Sequence, residues 1–250
     1  MSAQVEEQLI EKEKRAFVER TSMSQLMNFY NSFQTGNKAG QNAPQPEENT
    51  APTFEDLSID DGLSELQRLT RYTKSNIGLQ RLVHVKMIGD VAVSVGFEDT
   101  FELIIPLLED LSLDSEPAIK QQLAGQLAKL ASLCVKEENG ERGYKTVLEA
   151  ILPLTARLLE DEKSEVRQAA ANTLVGISEV LKPDDLGQHV LTIILQLAHD
   201  DDKEEMRMTA AQLLNMLAEC LGQDLCKQFV IPEVVRDLMR IDSLCLEDYH

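Results

Sequence analysis

Residues 150–181 read AILPLTARLLEDEKSEVRQAAANTLVGISEVL, and the fold turns on how this stretch is read. Val166, Ala170, Leu174, Ile177 and Leu181 recur at spacings of four, four, three and four, which puts them on one face of a 3.6-residue helix. An apolar helix containing Pro153 precedes them and ends at Asp161. Two further segments align with this one. They are LIIPLLEDLSLDSEPAIKQQLAGQLAKLASLC at 103–134 and VLTIILQLAHDDDKEEMRMTAAQLLNMLAECL at 190–221. In each, an apolar helix ends at an Asp (Asp114, Asp161, Asp201), an apolar residue follows (Ile119, Val166, Met206), and a basic residue comes next (Lys120, Arg167, Arg207). The stripe of the last unit is Met206, Ala210, Leu213, Leu217 and Leu221.

The basic position sets the period. Lys120 to Arg167 is 47 residues and Arg167 to Arg207 is 40. The longer interval holds the polar insert KEENGERG, 136–143, which is expected to be a loop between units, Asn139–Gly140 included. A weaker copy at 63–96 places Arg81 39 residues before Lys120. Helix pairs at this period are the mark of HEAT-type arrays. No pair buries its apolar face alone, so stacking makes one core. The expected fold is all-α, a HEAT-repeat solenoid of antiparallel helix pairs with a flexible N-terminal arm. The array covers 63–250 in about four and a half repeats: 63–96, 101–134, 147–181, 189–221 and a partial 226–250. The last unit starts a helix around Pro232 and then stops, so a longer array or a partner at this end is expected.

Within a unit, Ala169, Ala170, Ala171, Ala210 and Ala211 are expected to let helices approach closely, and Pro106 and Pro153 to bend the first helix. The Asp closing each turn can accept hydrogen bonds from amides at the next helix start. The basic residue can reach a neighbouring turn's Asp, giving a ladder along the stack. Residues 1–62 read as a mobile acidic arm and linker. Residues 35–53 are rich in Gly and Pro, and 5–33 form a weak helix or a docking segment for a partner.

The chain has 250 residues, 43 acids and 24 bases, for a net charge of −19. That balance argues against nucleic acid and against an anionic membrane surface as partners. The charged start MSAQVEEQLIEKEKR lacks a signal peptide's apolar stretch, and no uncharged apolar window reaches membrane-spanning length. A cytoplasmic location is expected, with the nucleus also open to it. Cys134, Cys220, Cys226 and Cys245 have no CxxC spacing and are expected to be buried or half-buried thiols. None of His84, His189, His199 and His250 belongs to HExxH or is followed by Glu, which excludes the paired irons that some HEAT-like hydroxylases hold. With no P-loop, GxGxxG or GxSxG, no enzyme, cofactor, metal or catalytic residue is expected. His199 is expected in a turn.

What remains is surface. The turns DSEP at 114–117, DEKSE at 161–165 and DDDKEE at 200–205 line up along one ridge of a solenoid. They serve helix capping and solubility, or they form a docking ridge that steers a basic partner.

Residues 108–141, LEDLSLDSEPAIKQQLAGQLAKLASLCVKEENGE, followed by ILPLTARLLEDEKSEVRQAAANTLVGI, resemble the HEAT repeats of regulatory subunit 1 of serine/threonine-protein phosphatase 4. That family is related in architecture to the protein phosphatase 2A scaffold. LSELQRLTRYTKSNIGLQRLVHVKMIGDVA at 63–92 looks like its first repeat. The resemblance covers roughly 63–235. It implies a non-catalytic regulator that binds a Ser/Thr phosphatase catalytic subunit and other proteins and positions them. It also implies a contact ridge in the turns, at Asp114, Glu116, Asp161, Lys163, Asp201 and Lys203. Family members carry a longer array than this chain. A different HEAT module, such as a transport adaptor or an assembly scaffold, is the alternative.

Overall fold

The structure is a computed structural model that describes residues 59–200 and 202–232. Among these residues every regular element is helical, and the helices alternate between two layers. Helix α1 (Glu65–Tyr72) pairs with α2 (Gly78–Val95). Helix α3 is composite, with Phe97–Asp99, a π turn at Thr100–Ile104 and Ile105–Ser112; it pairs with α4 (Pro117–Cys134). Helix α5 joins Gly140–Thr146, a π turn at Val147–Ile151 and Leu152–Leu159, and it pairs with α6 (Ser164–Ser178). Helix α7 joins Pro183–Asp185, a π turn at Leu186–Val190 and Leu191–Ala198, and it pairs with α8 (Glu204–Leu225). A further π turn, Cys226–Val230, follows α8. The second helices α2, α4, α6 and α8 pack side by side in order.

Both stripes read from the sequence face inward. Val166, Ala170, Leu174, Ile177 and Leu181 are buried, as are Met206, Ala210, Leu213, Leu217 and Leu221. One apolar core runs without a break from Leu69 to Leu221. Small residues bring second helices together. An ideal Cβ on Gly89 would lie 2.8 Å from the Lys129 side chain, and one on Gly176 would lie 3.3 Å from Ala128 Cβ. Thr173 Oγ1 donates to Ala124 O at 2.6 Å across the α4–α6 contact. Of the alanines singled out above, Ala170, Ala171 and Ala210 are buried and Ala169 is half-buried, but Ala211 is exposed. It lies on α8, where no described second helix follows.

The first helices differ from expectation in a regular way. They begin at Phe97, Gly140 and Pro183, ahead of 101, 147 and 189. Their front halves are wound through π turns. Pro106, Pro153 and Pro232 each sit two residues after a π turn, where the missing N–H coincides with a shifted hydrogen-bond register. Thr192 holds the same place in α7 and its hydroxyl donates to Gln188 O at 2.7 Å, so the π turn forms there without a proline. The insert at 136–143 is helical rather than a loop. Glu137–Asn139 form a 3₁₀ turn tied by Asn139 Nδ2 to Leu133 O at 2.8 Å, and Gly140 starts α5 at φ 55°.

Gly125 lies mid-α4 with nothing within 4 Å of an ideal Cβ. Gly125→Ala is expected to stabilise the fold by about 0.5–1 kcal/mol, read as a raised urea midpoint.

His84 is buried on α2. It is stacked on Tyr72 at 4.8 Å between centroids, with Nδ1 2.8 Å from Gln80 O. Burial pushes its pKa below the ordinary value; the Gln80 carbonyl opposes this and Arg68 adds to it. The unfolded chain therefore binds the proton more readily than the folded one. Stability contributed by neutral His84 is whole above about pH 6.5 and is lost as pH falls below it. Urea midpoints between pH 7.5 and 5 are expected to fall less steeply in His84→Phe than in the parent.

Candidate protein-interaction ridge

The turns between paired helices share one construction. Leu113, Glu160 and His199 end their helices, and an Asp follows each: Asp114, Asp161 and Asp200. Asp114 Oδ1 accepts the Glu116 N–H at 2.9 Å, and Asp161 Oδ1 accepts the Lys163 N–H at 2.9 Å. Asp200 Oδ1 accepts the N–H groups of Asp202 and Lys203, at 3.0 and 2.8 Å. The sequence alignment put Asp201 in this role. The fourth turn holds one residue more than the others, so the cap falls on Asp200; Asp201 lies outside the described residues. In the first turn Ser75 Oγ accepts the Ile77 N–H at 3.0 Å in place of a carboxylate.

The basic residues fasten the turns, three of them through their own turn's carbonyls and two through the next turn's carboxylate. Arg81 Nη1 donates to Ser75 O at 2.8 Å, Arg167 Nη1 to Asp161 O at 2.8 Å, and Arg207 Nη1 to Asp200 O at 2.8 Å. Arg81 also grips the next turn with two hydrogen bonds, Nε to Asp114 Oδ2 at 2.7 Å and Nη2 to Asp114 Oδ1 at 3.0 Å. Lys120 Nζ bonds Asp161 Oδ2 one repeat further on. These are two rungs of the expected ladder. The Asp114 hydrogen bonds hold the Arg81 pKa above its ordinary value, against the cost of its burial. The Arg167 contacts within the described residues are backbone carbonyls, Asp161 O and Glu162 O, and any rung to Asp201 lies outside them.

The candidate ridge residues therefore divide. The Asp114 and Asp161 carboxylates are 7% and 9% exposed and are held between repeats. Glu116 is half in solvent, yet it reaches back to Arg81 at 3.4 Å and lies over Gly78 at the start of α2. Its charge suits that positive helix end. Lys163 and Lys203 are exposed, as are Glu162, Glu165, Glu204 and Glu205 beside them. The ridge that a partner meets is this outer row, with the aspartates as its internal fastening.

A second set of contacts, on the opposite edge, was not foreseen. Tyr144 Oη donates to Asp185 Oδ2 at 2.5 Å and accepts the Lys182 N–H at 2.9 Å, while Lys182 Nζ lies 4.4 Å over the ring. Burial, then the Asp185 contact, raise the Tyr144 pKa. Arg142 Cζ sits 4.2 Å from the centroid of Phe101 and pairs with Glu98 at 2.7 Å. The signal available in the sequence was the spacing of 41 between Tyr144 and Asp185, close to one repeat.

Chemistry is sparse among the described residues. An open cavity of about 450 Å³ is lined by Phe101, Glu141, Arg142, Lys145, Thr146 and Glu149, in which Glu141 and Lys145 pair with each other at 3.0 Å. No group of three His, Cys, Asp or Glu among these residues could hold a metal. No described helix is long and apolar enough to cross a membrane. Cys134 is buried, and burial raises its thiol to about 11. Cys226 is half-buried. Cys220 is exposed, contrary to the expectation for the thiols, because α8 turns that position to solvent. His199 ends α7 in a turn, as expected.

Residues 151–181 match the HEAT repeat family. The solved structure of Cex1p superposes at a TM-score of 0.50 with 19% identity, covering 65% of this chain and 31% of that one. The matched region thus spans under a third of Cex1p. An engineered protein of known structure matches at a TM-score of 0.44 with 21% identity, over 68% of this chain and 70% of its own. No curated protein matches the sequence. The fold is an all-α HEAT-repeat solenoid, the architecture of a protein-interaction scaffold.

Proposed function

We propose that the chain is a non-catalytic regulatory or scaffold subunit of a Ser/Thr protein phosphatase, acting in the cell interior by binding and positioning. The observation that carries this reading is the construction of the turn edge. Caps and ion pairs fix three successive turns, and each fixed turn presents exposed charged side chains at repeat spacing. The resemblance of 108–177 to the phosphatase 4 regulator supplies the class of partner. Its partners on this reading are proteins, with no nucleic acid and no membrane.

The test is affinity purification of the tagged chain with identification of the stoichiometric partner. Recovery of a phosphatase catalytic subunit is expected, with at least tenfold less captured by a Glu116→Lys, Lys163→Glu, Lys203→Glu triple variant. Lys163 and Lys203 are exposed, so reversing them is expected to leave stability within about 0.5 kcal/mol, while Glu116→Lys, which sets a cation beside Arg81 and the start of α2, is expected to cost about 1 kcal/mol more. Asp114 and Asp161 are unsuitable probes because removing them disturbs the stack itself. Recovery of a nuclear transport GTPase with no phosphatase would sink the proposal in favour of a transport adaptor.

A further inference from the structure

The exposed face of the last two described second helices differs from that of the two second helices before them. From Gln168 to Ser178 on α6, and from Met208 to Ala218 on α8, there is no charged residue, in a chain where 27% of residues are charged. Burial accounts for the inward positions only. The outward ones are Gln168 and Asn172 on α6, with Met208, Gln212, Asn215 and Met216 on α8, and all are exposed. Gln168 Nε2 reaches Asn172 Oδ1 at 3.4 Å. The Gln212 and Asn215 amides have no partner among the described residues. Acids stand at both ends of this neutral face in matching places. Glu165 and Glu205 lie two residues before Arg167 and Arg207, and Glu179 and Glu219 lie twelve after them; all four are exposed. The basic residues between them are turned to the carbonyls of their own turns. On α2 and α4 the corresponding face carries Lys86, Asp90 and Lys129, so the pattern belongs to α6 and α8 alone.

We infer that this shared face of α6 and α8 binds an extended peptide segment of a partner protein, uncharged along its middle and carrying a Lys or Arg at each end. An amide side chain both donates and accepts, as an extended main chain does, so each can match a peptide group that a strand leaves unpaired. An apolar helix laid on the same face would cover those amides without partners, at about 1–3 kcal/mol each. The two methionines give a soft surface that adapts to varied side chains. The rims set the ends. Fourteen helical residues separate Glu165 from Glu179, and likewise Glu205 from Glu219, which is about 21 Å. An extended chain covers that in about six residues. The basic residues of the segment therefore lie about six apart, and charge complementarity orients it along the helices. The inference rests on the reading of the protein as a binding scaffold and holds whichever enzyme it serves.

The test uses the full chain and a fluorescent ten-residue peptide of Ser, Thr and Leu with two lysines six residues apart, followed by anisotropy at low salt. Saturable binding is expected, at least fivefold tighter than to the same composition with lysines three apart. Glu179→Gln with Glu219→Gln, at the rim away from the turn edge, is expected to weaken binding at least fivefold and to flatten its salt dependence. Asn172→Ala with Gln212→Ala is expected to weaken it similarly while leaving the salt dependence in place. Absence of binding, indifference to lysine spacing, indifference to the amide pair, or a gain of peptide helicity on binding would each overturn the proposal. None of these outcomes bears on phosphatase capture, whose charge-reversal set lies on the turn edge.

Discussion

Asp114→Ala is expected to lower stability by about 3 kcal/mol, the largest effect of any single substitution in the turns. Two losses combine. The Glu116 N–H loses its acceptor at the start of α4, a cap worth about 1 kcal/mol. The Arg81 guanidinium, with a side chain only 14% exposed, loses its two-point partner and keeps the Ser75 carbonyl and the 3.4 Å contact with Glu116. Removing one member of a buried pair costs about 3–5 kcal/mol when burial is complete. The partial exposure of Arg81 and its remaining carbonyl bring that down to about 2. Asp114→Asn separates the two, because Asn keeps the acceptor for Glu116 and loses the charge. Its expected cost is about 2 kcal/mol. Urea midpoints with unchanged slopes measure both, and a loss below about 1 kcal/mol for the alanine variant would show the rung to be inert. Arg81→Ala in the Asp114→Ala background is expected to cost far less than Arg81→Ala alone, since the stranded charge is already the main penalty.

Gly143→Ala is expected to cost about 3 kcal/mol by a different route. An ideal Cβ there would lie 2.0 Å from Cys134 O, 3.0 Å from Cys134 C and 2.8 Å from Asn139 Cβ. The nearest atoms are main chain at the end of α4, so rotation of a side chain cannot relieve the overlap. Either the front of α5 lifts from α4 or the end of α4 unwinds, and overpacking of this kind costs about 1–3 kcal/mol or more. Gly78 is the instructive contrast. Its Cβ would meet Glu116 Oε1 at 1.9 Å, but that is the tip of a long side chain free to swing into water. Hydrogen exchange is expected to show faster exchange at 140–146 in Gly143→Ala, with α6 and α8 unchanged. Uniform destabilisation across the array would contradict local displacement.

The second helices were legible from the sequence because each carries one buried stripe, whose 3.6-residue period runs undisturbed from Val166 to Ile177 in α6 and from Met206 to Leu221 in α8, ahead of the break in α8 at Gly222 (φ 74°). The first helices were legible only in their rear halves. The buried positions still run at helical spacing, as from Ile104 to Leu108, but the front ends at Phe97, Gly140 and Pro183 open on charged residues outside the aligned segments. The ladder was readable as a possibility, since a basic residue follows each turn at constant spacing. Its division of labour was not. Asp114 looks as exposed as Glu116 in the string DSEP, and its burial against Arg81 of the preceding unit is a tertiary fact. The cap at Asp200 was not legible because three consecutive aspartates give the alignment no way to place one extra turn residue. The neutral face of α6 and α8 was in plain view as a charge-free run, but without burial it is indistinguishable from core.

The two rungs also bear on how the array yields to force. Successive turns are joined on one edge by Arg81–Asp114 and Lys120–Asp161, pairs sheltered enough to resist screening by salt. Among the first helices the ion pairs Arg157–Glu109 and Arg142–Glu98 are about half in solvent, and Tyr144–Asp185 adds a single hydrogen bond. Bending that opens the first-helix layer thus meets less resistance than bending that parts the turns. The array has a soft direction and a stiff one, like a book whose spine is the ionic edge. A partner gripping the turns would hold a surface of nearly constant spacing while the far layer flexes.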